Sequence, residues 1–129
     1  MLLKTLLITL TMTASIAVLA DVKLTEADLL GAWQIDSESI NADGSNAKDL
    51  SSVWTFRADG TMEGFSTDTN KHARIAELRA TLKYEIIDGK INKQFSPGRS
   101  KYETCTAIEK NGPKMVLECN HIYFSMTKK

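Results

Sequence analysis

The stretch KYETCTAIEKNGPKMVLECNHIYFSM, residues 101–126, holds both cysteines of the chain and decides how the rest is read. Apolar and polar residues alternate on either side of Lys110-Asn111-Gly112-Pro113, which predicts two antiparallel strands joined at that turn. Pairing centred on Gly112 sets Cys105 opposite Cys119, Ala107 opposite Leu117 and Ile108 opposite Val116. Directly opposed residues at a non-hydrogen-bonded position bring their Cα atoms to about 4.5–5.5 Å, a gap that a disulfide spans. The hairpin is therefore expected to be stapled across its strands, in a structural and not a catalytic role.

A disulfide asks for an oxidising compartment, and the start of the chain agrees. Met1-Leu2-Leu3-Lys4 is a short basic opening, and Thr5 to Leu19 carries no charge. Val18-Leu19-Ala20 then offers the residues a signal peptidase reads before Asp21, so residues 1–20 are expected to be a cleaved signal peptide. Fifteen residues from Thr5 to Leu19 fall short of the roughly 20 needed to cross a bilayer as a helix. No stable membrane anchor is expected, and the product is expected to be periplasmic or secreted. Residues 21–129 are long enough for one domain with a modest core.

Taking Lys4 away with the signal leaves 15 Lys and Arg, of the chain's 16, against 16 Asp and Glu, a balance that points away from nucleic acid. The charge is unevenly spread: residues 21–70 hold ten acids and three bases, residues 71–101 eight bases and three acids. Lys71, Arg74, Arg79, Lys83, Lys93, Arg99 and Lys101 would, on one face, make a basic patch for an anionic partner; the plainer account is solvated strand faces of differing sign.

Along the chain, Thr25 is a suitable N-cap for one helical turn, with Asp28 three residues on, and Gly31 ends it. Gly31 to Asp36 alternates as a strand, and Ser37 to Asp49 reads as a long polar loop, a lid or an insert. Asp43-Gly44 in that loop is turn chemistry; calcium-loop spacing fails. Ser51–Arg57 and Thr61–Thr67 flank an Asp59-Gly60 hairpin turn, and a strand from about Glu77 to Ile87 is joined by Asp88-Gly89 to Lys90–Phe95. Residues 72–78 fit helix or strand. The sum is seven neighbour-linked strands, or eight if the segment around Glu77–Ile87 supplies another. With no strand–helix–strand unit, the fold class is all-β, an antiparallel up-and-down barrel or strongly curled sheet.

At this point the residues resemble a family. Leu30-Gly31-Ala32-Trp33-Gln34 after a short helix is similar to the Gly-x-Trp opening strand of lipocalins and of the small bacterial lipocalin-like (calycin-type) β-barrel domains. Trp54-Thr55-Phe56-Arg57-Ala58-Asp59-Gly60-Thr61, Tyr84-Glu85-Ile86-Ile87-Asp88-Gly89-Lys90-Ile91 and Met115-Val116-Leu117 continue the likeness in order. The resemblance implies a barrel whose closed end is plugged by Trp33 behind Gly31. It also implies a ligand chamber at the other end, with the Ser37–Asp49 loop at its mouth.

No catalytic constellation stands out. The chain lacks Gly-x-Ser-x-Gly, His72 sits in a polar stretch, and His121 is expected on a strand face with Cys119 and Tyr123. Two cysteines and two distant histidines make a poor metal set, so neither metal nor cofactor is expected. The leading expectation is a non-catalytic exported protein holding a small apolar or amphiphilic ligand, with Trp54, Phe56, Leu82, Tyr84 and Tyr123 as candidate lining residues; simple core is the competing role for each. The alternative is an envelope protein-binding module, such as an inhibitor of a secreted hydrolase. It would contact its partner through loops and the basic segment, Arg74, Arg79 and Arg99 above all.

Overall fold

The computed structural model describes residues 21–67 and 77–129. Eight antiparallel strands follow one another around a closed barrel: β1 Gly31–Ser39, β2 Lys48–Phe56, β3 Thr61–Thr67, β4 Glu77–Ile87, β5 Lys90–Gln94, β6 Tyr102–Asn111, β7 Lys114–Cys119 and β8 Ile122–Lys128. One short helix, α1 Glu26–Leu29, precedes them. Its capping box forms as the sequence predicts: the Asp28 amide donates to the Thr25 hydroxyl, and the Thr25 amide donates to the Asp28 carboxylate at 3.0 Å. The Thr25 hydroxyl also donates to the Asp28 carboxylate at 2.9 Å, and the bonds to that carboxylate from the Thr25 amide and hydroxyl, the amide first, lower the pKa of Asp28 from its ordinary value.

The eighth strand does not come from the Glu77–Ile87 region. Residues expected as one strand after Gly112 are two, because Asn120 and His121 both take positive φ (49° and 66°) and turn the chain back. His121 therefore sits exposed in a turn, its amide bonded to the Glu118 carboxylate at 3.0 Å, and shares no strand face with Cys119 or Tyr123. The barrel closes between β1 and β8, where Trp33 pairs with Lys128, so the cysteine hairpin of β6 and β7 lies one strand away from the seam. Nor is the hairpin register uniform. Cys105 faces Cys119 and Ala107 faces Leu117 as expected, but a bulge after Ala107 sets Glu109, not Ile108, opposite Val116.

The Asp-Gly turns behave as their chemistry requires. Asp88 and Gly89 both have positive φ, the combination that a two-residue turn between twisted strands demands. Asp59 accepts from the Thr61 hydroxyl (2.6 Å) and amide (3.0 Å), and these bonds lower its carboxyl pKa. The first polar loop is shorter than expected: Ser37 pairs with Asp49 and Glu38 with Lys48, which leaves residues 40–47 as connection. Polar side chains at a barrel rim do not stop the backbone from continuing its ladder. Within that connection Asp43 accepts from the Ser45 amide at 2.9 Å, an Asx turn, and its pKa is lowered by the same bond.

One end of the barrel is shut. Leu24, just before α1, and Leu29, the last residue of α1, are buried, and the strap before the helix is tied down by Val22 N–H to the Ala107 carbonyl and Leu24 N–H to the Gly89 carbonyl, both 2.8 Å. Trp33 is fully buried and its indole N–H donates to the Leu29 carbonyl at 2.8 Å, so the plug satisfies its polar atom. Phe56 and Tyr84 meet edge to face at 5.2 Å, and the Tyr84 hydroxyl donates to the Arg57 carbonyl at 2.7 Å. Met62, Ile91, Ala107, Met115, Leu117 and Met126 complete this packed half. The sequence leaves residues 72–78 open between helix and strand; Glu77 and Leu78 lie in β4, and the remainder lies outside the described residues.

Candidate functional site

Strand alternation decides what faces the lumen above the packed half. On β2 the inward set is Leu50, Ser52, Trp54 and Phe56; β3 contributes Met62, Gly64 and Ser66, because Ser52 pairs with Ser66, Trp54 with Gly64 and Phe56 with Met62. β4 continues with Leu78, Ala80 and Leu82, opposite Ser66, Gly64 and Met62. The inward face of the outer half thus sets Ser52, Gly64, Ser66 and Ala80 among Leu50, Leu78 and Leu82, and Ser52 and Ser66 bond to each other at 2.8 Å. Half-buried Trp54 and Phe124 meet beneath it with ring centroids 5.1 Å apart.

Lys93 is the unexpected member. It shares the inward face of β5 with Ile91, is only 7% exposed, and ion-pairs with Glu103 on β6, which shares its face with Cys105. Its ammonium lies 5.6 Å from the Trp54 ring centroid, close enough for a cation–π attraction. The Cys105–Cys119 disulfide, Cα atoms 4.3 Å apart, forms the wall beside the pair. Glu103 and the two sulfurs lie within 4.8 Å of one another, but the disulfide bond occupies both sulfurs. Trp54, Phe124, Lys93 and Glu103 therefore make a floor, apolar on one side and ionic on the other, with Ser52, Gly64, Ser66, Ala80 and Leu82 on the inward faces of the strands beside it.

Among the described residues, β4 and β5 part toward the outer half. β4 pairs with β5 only from Tyr84 to Ile87, while its outer part, Glu77 to Lys83, pairs only with β3 among the described residues. Where the two strands part, the Gln94 side chain stands in for the ladder: its carbonyl accepts from the Lys83 amide at 2.8 Å, and its amide donates to the Arg99 carbonyl at 3.1 Å. Exposed Leu78 and Phe95 flank the gap.

The candidate residues separate accordingly. Trp54 and Leu82 face inward in the outer half; Phe56 and Tyr84 are inward but buried in the packed half; Tyr123 lies on the opposite face of β8 from Phe124, paired with Ser39 and Glu118. Burial raises the Tyr84 phenol pKa above 10.0, with the charges of Glu26 and Asp59 adding to the effect. Arg79 is on the outside, bonded to Glu63 at 3.0 Å and stacked 4.5 Å from the Phe65 ring, and Glu63 also holds Arg57 at 2.9 Å. Arg99 is exposed in the β5–β6 connection. Lys71, His72 and Arg74 lie outside the described residues. The proposed basic patch loses Lys93, which points inward, and has Arg79 partnered by an acid. Lys93, Glu103, Phe124, Gly64 and Ala80 were missed as site residues; strand parity with Ile91 and Cys105 was the available signal for the first two.

Comparison with known proteins adds a frame for this geometry. Residues 29–117 match the model of a family described as the lipocalin-like domain. An uncharacterised protein from Bacteroides eggerthii DSM 20697 superposes with a TM-score of 0.60 at 14% identity, over 79% of this chain and 100% of its own. A lipocalin-like protein from Bacteroides uniformis ATCC 8492 superposes equally well, TM-score 0.60 at 15% identity, over 79% of this chain and 99% of its own. At such identities the likeness concerns the fold. No curated protein sequence matches the chain.

Proposed function

The chain belongs to the lipocalin-like domain family, and from that premise we propose that it is an exported, non-catalytic binding protein that holds a small apolar or amphiphilic ligand in the outer half of its barrel. The observation that carries this reading is the asymmetry of the interior. The closed half is packed with Trp33, Phe56, Tyr84 and methionines, whereas above the floor of Trp54 and Phe124 the other half pairs Ser52 with Ser66 and Gly64 with Ala80, with Leu50, Leu78 and Leu82 as its larger inward side chains. A barrel that needed only a core would continue large side chains to its rim, since eight strands enclose space that side chains can fill. Few polar groups converging in an otherwise apolar recess are the usual make-up of a small-molecule site.

Titration with the neutral dye N-phenyl-1-naphthylamine tests it. Saturable one-to-one binding with fluorescence enhancement is expected; a folded protein that gives no enhancement overturns the proposal. Export is supported by the uncharged segment after Lys4 and by the Cys105–Cys119 bond. Expression of the full chain in a bacterial host should give a periplasmic or secreted product beginning at Asp21; an intact cytoplasmic chain would contradict export.

A second reading, an envelope protein-binding module such as an inhibitor of a secreted hydrolase, draws on the outer part of β4, whose side away from β3 has no strand partner among the described residues and would offer an edge to a partner. Arg79 lies on that edge and Arg99 beside it. Capture of one partner from envelope extract, lost on Arg79→Glu with Arg99→Glu, would support it; capture unaffected by both changes would remove it.

A further inference from the structure

The charge arrangement of the floor narrows the ligand class, on the premise that the outer half of the barrel is the binding chamber. Lys93 and Glu103 face the lumen, their side chains are 9% and 16% exposed, and they neutralise each other. A buried ion pair is costly to desolvate and stays tolerable only while its charges balance. A ligand bearing a net charge would upset that balance: an anion reaching Lys93 leaves one surplus negative charge beside Glu103, and a cation reaching Glu103 leaves one surplus positive charge beside Lys93. A neutral head that both accepts and donates disturbs nothing. The ammonium has three donors and the carboxylate two acceptor oxygens, so capacity remains on both after they pair.

We propose that the ligand is an amphiphile with a neutral, donor-and-acceptor head group, an amide or alcohol in chemical class, seated head-down on the Lys93–Glu103 pair. The head carbonyl or hydroxyl oxygen accepts from the Lys93 ammonium, and the head N–H or O–H donates to the Glu103 carboxylate. The aliphatic part lies against Trp54, Phe124 and Leu82 and leaves by the mouth or by the gap between β4 and β5. Trp54 contributes twice, as an apolar surface for the chain and through the contact of its ring with the ammonium.

Octanamide, octanoate and octylamine share a chain and differ in head charge, and displacement of N-phenyl-1-naphthylamine at neutral pH ranks them. Octanamide is expected to bind roughly tenfold or more tightly than either charged compound, the factor that corresponds to about 1.4 kcal/mol. Glu103→Gln leaves the Lys93 charge alone and should move the preference to octanoate; Lys93→Met leaves Glu103 alone and should move it to octylamine. Octanoate binding the unaltered protein as well as octanamide does, or a Glu103→Gln protein with an unchanged ranking, overturns the proposal. If either variant loses its near-UV circular dichroism, the ranking on the unaltered protein decides alone. A flat ranking with the dye still bound removes only the head-group assignment, whereas absence of dye and octyl binding alike removes the chamber itself.

Discussion

Gly64 offers a test of hollowness in which packed and open interiors predict opposite signs. A Cβ built on it would lie 3.9 Å from Trp54 Cδ1 and 4.0 Å from the Ala80 carbonyl, ordinary contact distances, and its φ is not positive. Nothing has to move to admit a methyl group. Glycine within a strand costs roughly 0.5–1 kcal/mol relative to alanine through its extra freedom in the unfolded chain. Gly64→Ala is therefore expected to stabilise the protein by about that amount and to raise the melting temperature by roughly 2–8 °C. In an interior already filled, the added carbon would instead cost about 1–3 kcal/mol. Gly64→Leu extends the same vector into the proposed chamber above Trp54. It should keep the barrel and weaken N-phenyl-1-naphthylamine by roughly tenfold or more, about 1.4 kcal/mol of lost contact. Thermal unfolding by far-UV circular dichroism and dye titration read the two effects. A Gly64→Ala protein that melts below the parent would show a packed interior, and a folded Gly64→Leu protein with undiminished dye affinity would place the dye elsewhere.

Other perturbations probe the frame around the chamber. Replacing both Cys105 and Cys119 by alanine should lower stability by about 3 kcal/mol, the loop-closure contribution expected for this span, while the barrel spectrum persists at 25 °C; an unchanged melt would show the bond to be idle. Tyr84→Phe loses the hydroxyl donated to the Arg57 carbonyl and should cost about 0.5–1.5 kcal/mol at pH 7, measured by urea unfolding. Because the folded phenol titrates above 10.0, its contribution is complete below that value and disappears as pH rises through the folded pKa, so the difference between parent and variant should shrink in strongly alkaline solution; a constant difference would contradict the assignment. Gly89→Ala forces a side chain into positive φ and to 2.8 Å from the Lys23 backbone, so a loss of about 1–3 kcal/mol is expected, with faster hydrogen exchange at the Leu24 amide; an unaffected amide would mean the strap is not held there.

Turn chemistry and strand parity were the legible signals. Asp59-Gly60 and Asp88-Gly89 read correctly because their glycines must take positive φ, and the opposition of Cys105 and Cys119 followed from counting about Gly112. The turn at Asn120-His121 was missed for the matching reason: it has no glycine, and histidine in positive φ leaves no mark in the sequence. The bulge at Ile108 carries no residue signature either, and it moves the facing partner without reversing the buried face of Ala107 or Leu117. Phe56 and Tyr84 read as lining alongside Trp54 because alternation says which face a residue takes, not how deep it lies; depth depends on the strap and α1 closing one end. Lys93 was legible by parity with Ile91, yet its charge suggested a surface, and only the nearness of Glu103 explains why it tolerates the interior.

The two tryptophans allow the central claim to be tested in one spectrum. Trp33 has its indole N–H committed to the Leu29 carbonyl inside the closed end, and Trp54 stands at the floor of the outer half. In a proton–nitrogen correlation spectrum each contributes one indole signal. Addition of N-phenyl-1-naphthylamine should shift the Trp54 signal in a saturable way and leave that of Trp33 in place. A stationary Trp54 signal at saturating dye would contradict a ligand chamber in this barrel.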